Sequence, residues 1–416
     1  MTKNHESENN ELDARIELLR SRPEQSDISE LWDKFSSKMD YNDDTIMPTL
    51  SSYRFFAPGR VNLIGDHTDY NGGLVFPAAL NMGTYLTVKQ NDDADFCRFT
   101  SENNPAEFVI RKEELSQKQH NWVDYPLGVL KEFADRGWSV SGYDFHYRGD
   151  LPIGAALSSS ASIEMVTEVA LNTLCGEPYT MLELVQMAQH AENAFVGMNC
   201  GIMDQFASGF GKKDCAIALD CNTLEYEHVP LEMRGLKFVI ANSNKPRGLV
   251  DSEYNQRRAE CQQALEIIQQ HLPIDCLCQL TMDQFYTIAQ YLDGNVLRRA
   301  RHAVRENENV REAITALKGG DMIRFGQLMN ASHATLRDDY AVTCPETDFL
   351  ATFAQQFPGV LGSRMTGAGF GGCTVTLIAE EQVADFIKTM GTVYEEQFGL
   401  HADFYMAEIG DGARML

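Results

Sequence analysis

No stretch of this sequence approaches 18 consecutive apolar residues, and residues 1–24 are polar and acidic, without the basic start and apolar run of a secretory leader. Secretion and membrane spanning are therefore not expected. Positive charge is scarce: 35 Lys and Arg against 60 Asp and Glu leave a formal net charge of −25. Such a chain repels nucleic acid and anionic lipid, so any phosphate site must gather positive potential locally. Paired cysteine motifs are missing as well. The ten cysteines are scattered, and the close pairs Cys215/Cys221 and Cys276/Cys278 have no second pair or histidine at zinc-finger spacing. Reduced thiols of a cytosolic protein are the expectation. There is no internal repeat, no low-complexity linker and no Walker A loop: the nearest string, Gly211-Lys212, has Phe206 in place of the first glycine and Lys213 in place of Ser/Thr.

What is present suits a large buried core. The 416 residues are 44% hydrophobic, enough for two domains, with a boundary expected near residue 220. In residues 1–45, Ile28, Leu31, Trp32 and Phe35 fall at helical spacing behind Asp27 and Glu30, which predicts one amphipathic helix on an N-terminal extension. Strands are expected over 60–64, 84–89, 143–148, 216–220, 236–241 and 373–379, where β-branched and aromatic residues cluster. Helical periodicity marks 161–174, 181–195 (ended by Gly197), a helix starting near Ile202, and the longer stretches 251–270 and 296–316.

Four segments carry chemistry. Leu151-Pro-Ile-Gly-Ala-Ala-Leu-Ser-Ser-Ser-Ala-Ser162 is small and hydroxylic and runs into a helix, which lets backbone N–H groups and a positive dipole end face a phosphate; a plain serine helix cap reads the same way. Gly367-Ala-Gly-Phe-Gly-Gly372 matches the dinucleotide fingerprint in letters but precedes a strand instead of opening a helix, so it reads as a tight loop beside the phosphate cradle or the substrate. Asp66-His-Thr-Asp69 supplies the mixture of acceptors and donors that a polyhydroxy substrate needs, although a polar turn would use the same residues. Gly201-Ile-Met-Asp-Gln205 puts Asp204 at a helix start, where it is either an N-cap or, with Glu192 on the preceding helix, one of two carboxylates facing the cradle.

Together with Pro58-Gly-Arg-Val-Asn-Leu-Ile-Gly-Asp-His-Thr-Asp-Tyr-Asn-Gly-Gly73, these segments closely resemble the galactokinases, of the superfamily named for galactokinase, homoserine kinase, mevalonate kinase and phosphomevalonate kinase. The likeness runs from about Tyr53 onward. It implies an α/β (α+β) fold of two domains, an N-terminal one like ribosomal protein S5 and a ferredoxin-like C-terminal one, with the active site in the cleft between them. It also implies a sugar- and ATP-binding domain over 46–220 and a C-terminal domain over 221–416, and an ATP-dependent galactose kinase that uses Mg²⁺, most simply a cytoplasmic monomer. Carried over by motif, Asp204 would be the base or an orienting charge and Arg60 would stabilise the transition state. Asp66, His67, Thr68, Asp69 and Tyr254 would hold the sugar. Gly154, Ala155, Ala156, Leu157, Ser158, Ser159 and Ser160 would wrap the ATP phosphates, with Ser101 a further nucleotide contact, and Ser160 and Glu192 would hold Mg²⁺.

Two departures from the family pattern stand out. Position 66 is Asp where galactokinases normally carry Glu, which leaves a different preferred sugar open. Ala156 also puts a methyl where a positive φ would favour glycine. A kinase for N-acetylgalactosamine or arabinose, or a non-catalytic sugar and ATP sensor, are the alternatives.

Overall fold

The computed structural model describes residues 52–152, 155–246 and 250–416. The amphipathic helix expected in residues 1–45, and Gly154, lie outside them.

In chain order the elements are β1 (Ser52–Asn62), β2 (Leu74–Val75), β3 (Pro77–Gln90), β4 (Phe96–Ser101), β5 (Asn104–Arg111), α1 (Asp124–Asp135), β6 (Tyr143–Gly149) and α2 (Ser159–Leu174). Helices α3 (Met181–His190) and α4 (Met203–Phe210) follow, then β7 (Cys215–Asp220), β8 (Tyr226–Pro230) and β9 (Leu236–Asn242). A helical stretch comes next: α5 (Val250–Ile268), α6 (Met282–Ile288), α7 (Gly294–Lys318), α8 (Met322–Thr335) and α9 (Pro345–Gln356). The chain finishes with β10 (Val360–Thr366), β11 (Cys373–Ala379), α10 (Val383–Phe398), β12 (Asp403–Met406) and β13 (Arg414–Met415).

Two sheets organise two halves. The first has the order β13-β1-β3-β6-β4-β5, antiparallel except for the β4/β6 pair. Helix α2 packs on β1 and β3, and α1 lies against α2. The second sheet, β10-β11-β9-β12, is antiparallel throughout and is covered by α8 and α9 on β10 and α10 on α9. A small sheet, β2-β7-β8, links them. One apolar core gathers around Phe55, Phe99 and Phe133 and another around Val239, Phe386 and Tyr394, and a further core joins Val61 and Leu80 of the first sheet to Phe238 and Val375 of the second. The boundary is not a single cut near residue 220, because β13 returns to pair with β1 in the first sheet.

The expected helices and strands appear with shifted ends. Residues 181–195 do not form one α-helix: α3 stops at His190 and continues as a π-helical turn, Ala191–Val196, closed by Gly197 at φ +92°. The glycine cluster joins β10 to β11, two antiparallel strands, and opens no helix.

Candidate active site

Strand β1 delivers Arg60 to the end of α2. The Arg60 guanidinium meets the Asp204 carboxylate face to face, Nε to Oδ1 and Nη2 to Oδ2 both at 2.9 Å. Its Nη1 donates to the Ala156 carbonyl at 2.8 Å, and its backbone N–H donates to the Leu157 carbonyl at 3.1 Å. One arginine thus fixes both the serine-rich loop and the carboxylate on α4. Asp204 is not an N-cap. Ile202 holds that place, and Asp204 in the first turn turns its side chain inward, where Ser158 Oγ also donates to Oδ2 at 2.5 Å. Nor does the Ser158 hydroxyl cap α2: Ser158 sits at φ +60° with no cap bond from its side chain, so the first N–H groups of α2 are left for an anion.

The loop after β1 brings a second set of groups. Asp66 Oδ1 accepts from Asn62 Nδ2 (2.9 Å) and Gly367 N (3.2 Å), and Oδ2 accepts from Arg364 Nη2. His67 stands at φ +64° with Nδ1 bonded to the Tyr70 hydroxyl at 2.8 Å. Burial, then the charge of His302, lowers its pKa to about 3, which keeps the imidazole neutral. Burial, then Asp204, pushes the Asp69 carboxyl up to about 6. The ring of Tyr254 on α5 lies 5.5 Å from that of His67 and 5.6 Å from that of Tyr70.

These groups line one cavity of about 360 Å³. Of the residues named from the sequence, Arg60, Asp66, His67, Asp69, Ala156, Ser158, Ser159, Ser160, Glu192, Asp204 and Tyr254 meet there. Within the loop, Ala155 and Leu157 are buried in an apolar core. Thr68 is buried too, its hydroxyl shared between the carbonyls of Gly65 (2.9 Å) and Leu74 (2.7 Å), so it braces the loop. Ser101 is absent from that lining and ends β4, where its Oγ accepts from Asn103 N in the turn to β5 at 3.2 Å.

Glu192 enters from the π-helical turn and is 4% exposed. Burial raises its pKa to about 7, with Asp204 adding to the rise and hydrogen bonds from Cys200, Ser160 and Gln205 opposing it. Gln205 Nε2 donates to both Glu192 Oε2 (2.6 Å) and Glu164 Oε2 (3.0 Å). Among the described residues no three His, Cys, Asp or Glu side chains converge as a metal cage. A hard oxygen pair such as Ser160 and Glu192 nevertheless fits Mg²⁺, which keeps several waters and is held by one or two protein groups plus substrate phosphates.

Sequence reasoning passed over several residues. Gly201 is required because a Cβ there would lie 1.9 Å from Asp69 Oδ2, a constraint invisible without the fold. Gln205 stood in a quoted motif but was given no role. Arg364, three residues ahead of the glycine loop, is wholly buried and was assigned no role.

The six-stranded and four-stranded sheets, with a serine-rich helix N-terminus and an Arg–carboxylate pair at one cavity, belong to a GHMP kinase fold. Family models for the GHMP kinase N-terminal domain and C-terminal domain match residues 124–212 and 313–392, and a galactokinase galactose-binding signature matches 47–90. The galactokinase of Fusobacterium nucleatum is 50% identical over 365 residues, covering 86% of this chain and 94% of that one. The galactokinase of Bacillus subtilis is likewise 50% identical over 367 residues, 87% of this chain and 94% of its own. The chain belongs to the galactokinase family. Among solved structures, Lactococcus lactis galactokinase complexed with galactose superposes with a TM-score of 0.86 at 44% identity, covering 93% of this chain and 99% of that one. The mevalonate kinase of Methanococcus jannaschii shares the fold alone, with a TM-score of 0.64 at 16% identity over 88% of this chain and 100% of its own.

Proposed function

We propose that this chain transfers the γ-phosphoryl group of ATP to the C1 hydroxyl of galactose, giving galactose 1-phosphate and ADP. The observation that carries the reading is the Asp204–Arg60 pair, which stands in one cavity with the N-terminus of α2 on one side and the Asp66–Asp69 loop on the other. Phosphoryl transfer asks for positioning and charge neutralisation, with little covalent work for the protein. Asp204 accepts the C1 proton or orients that hydroxyl, and Arg60 offsets charge as the phosphoryl group moves.

Neutral His67, Asp69 and Tyr254 supply the alternating donors and acceptors that sugar hydroxyls need, on a frame braced by Thr68. Asp66, already accepting from three protein donors, has little capacity left for the sugar and sets the shape of its pocket. The loop from Gly154 through Ser160 receives the phosphates, and Ser101 is a further nucleotide contact. Ser160 and Glu192 would hold Mg²⁺, which supplies charge neutralisation to the phosphates when bound. Residues 46–220 form the sugar- and ATP-binding domain, and 221–416, apart from the returning β13, the C-terminal domain. Among the described residues no helix is long and apolar enough to cross a membrane, which agrees with a cytoplasmic enzyme; we take it to act as a monomer.

A coupled ADP-release assay with Mg·ATP across galactose, N-acetylgalactosamine, arabinose, glucose, homoserine and mevalonate tests the reading. Galactose is expected to dominate, and Asp204→Asn to lose roughly 10²- to 10⁴-fold in turnover while still binding sugar. Turnover on another sugar would move the assignment to that sugar, with Asp66 as the determinant. Full activity in Asp204→Asn would remove that residue from the mechanism.

A further inference from the structure

Helix α5 carries Tyr254 into the cavity wall and, on its next turn, two consecutive arginines that serve different loops. Arg257 donates from Nε to the Tyr340 carbonyl and from Nη2 to the Ala341 carbonyl, both at 2.9 Å, and its guanidinium lies 5.6 Å from the ring centre of Phe370 in the glycine loop. Arg258 lies 5.5 Å over the ring of Tyr70, and its Nη1 donates to the carbonyls of Asn199 and, at 3.5 Å, Cys200. Those two carbonyls immediately precede Gly201, the residue against which the Asp69 carboxylate is seated, and Asp204 lies in the first turn of the next helix.

We infer that Arg258 is a positioning residue for the acceptor sugar: by holding the Asn199 and Cys200 carbonyls against α5, it sets the distance between Tyr254 on one wall of the cavity and Gly201 with Asp69 on the other. A planar guanidinium suits the task, since it can bond two neighbouring carbonyls while its face covers an aromatic ring, as a lysine ammonium cannot. Its charge also favours the ionised form of Asp69, against the burial that opposes it. Arg258 touches the group that faces the substrate and is not itself part of the wall of the catalytic cavity.

The inference rests on the reading of that cavity as the sugar site, so the experiment separates the two. KM for galactose and KM for ATP are measured for the wild type, Arg258→Ala, Arg258→Lys and Tyr254→Phe. Arg258→Ala is expected to raise the galactose KM about tenfold, ~1.4 kcal/mol, and to leave the ATP KM within about twofold. Arg258→Lys, which keeps the charge and loses the planar face over Tyr70, should fall between the two. A second cavity of about 370 Å³, bounded by Arg258, Asn199 and Asn255, gives free guanidinium a way in, and millimolar guanidinium should lower the galactose KM of Arg258→Ala. An unchanged galactose KM in Arg258→Ala, or equal rises in both KM values with a lowered Tm and no guanidinium rescue, would overturn the inference. If Tyr254→Phe also leaves the galactose KM unchanged, the sugar-site reading falls with it; if Tyr254→Phe raises KM and Arg258→Ala does not, only the role of Arg258 falls.

Discussion

Ala156 occupies the left-handed region at φ +57°, with its carbonyl bonded to Arg60. An L-residue held there is strained by about 1–2 kcal/mol, which glycine avoids. Ala156→Gly is therefore expected to stabilise the fold by about 1 kcal/mol in urea unfolding, with an ATP KM equal to or below that of the wild type. The opposite change at Gly201 is expected to be harmful. A methyl at that position meets the Asp69 carboxylate, so Gly201→Ala should lose most galactose binding in calorimetry while its Tm stays near the wild-type value. The methyl of Ala156 was legible as a departure from the family pattern, because the resemblance marks a position where glycine is usual. The reason for Gly201 was not, since the clash comes from a side chain on a distant loop. That Arg60 stands beside Asp204 was implied by the roles the resemblance gives them, and the fold supplies the face-to-face geometry.

At the scale of elements, α2 carries an acidic stripe at Glu164 and Glu168, one turn apart and both fully buried. Neither oxygen of Glu168 has a hydrogen-bond partner, and burial, then the charge of Glu132, raises its pKa well above the usual value near 4.5. A carboxyl raised in this way keeps its proton on folding, so the folded chain binds more protons than the unfolded one above that value. Stability is complete below about pH 4.5 for this group and is lost as pH rises toward the folded pKa. Glu168→Gln should therefore unfold at higher urea than the wild type at about pH 9 and differ least at about pH 5, giving a flatter profile. Such buried acids interrupt no helical period, and α2 was legible to within two residues of its observed start. Strand β1 was less so. From Phe55 to Asn62 every residue is buried, so there is no alternation to read, and only its last residues were expected as strand. β10 hid for another reason: its buried run includes Ser363, Arg364 and Thr366, polar residues that a search for apolar strands passes over.

Across the whole molecule, Arg364 adds a polar tie to the apolar core that the two halves share. Its Nη1 donates to the Asn62 carbonyl at 3.0 Å and its Nε to Ser332 Oγ at 3.1 Å, while Nη2 pairs with Asp66 and lies 3.8 Å from Glu306 Oε1. Removing one partner from a buried ion pair leaves its counterpart uncompensated, at about 3–5 kcal/mol. Arg364→Met is expected to lower the Tm and to abolish galactose turnover, as calorimetry and the ADP assay would register. With a net charge of −25, a phosphate site needs positive potential gathered locally, and on the proposed reading the N-terminus of α2 with Arg60 would provide it. The returning strand β13 has a further consequence. Phe55 and Phe56 stand opposite Met415 and Arg414, and the Leu416 N–H donates to the Arg54 carbonyl at 2.8 Å. Ser52 and Leu416 are thus near neighbours at one edge of a sheet. In a chain shortened to begin at Ser52, a linker of a few residues could join them, and the chain could be reopened at the exposed turn of Gly137, where an added Cβ would meet nothing within 4 Å. Such a circular permutant would keep every strand pair, which makes the order of synthesis separable from the architecture.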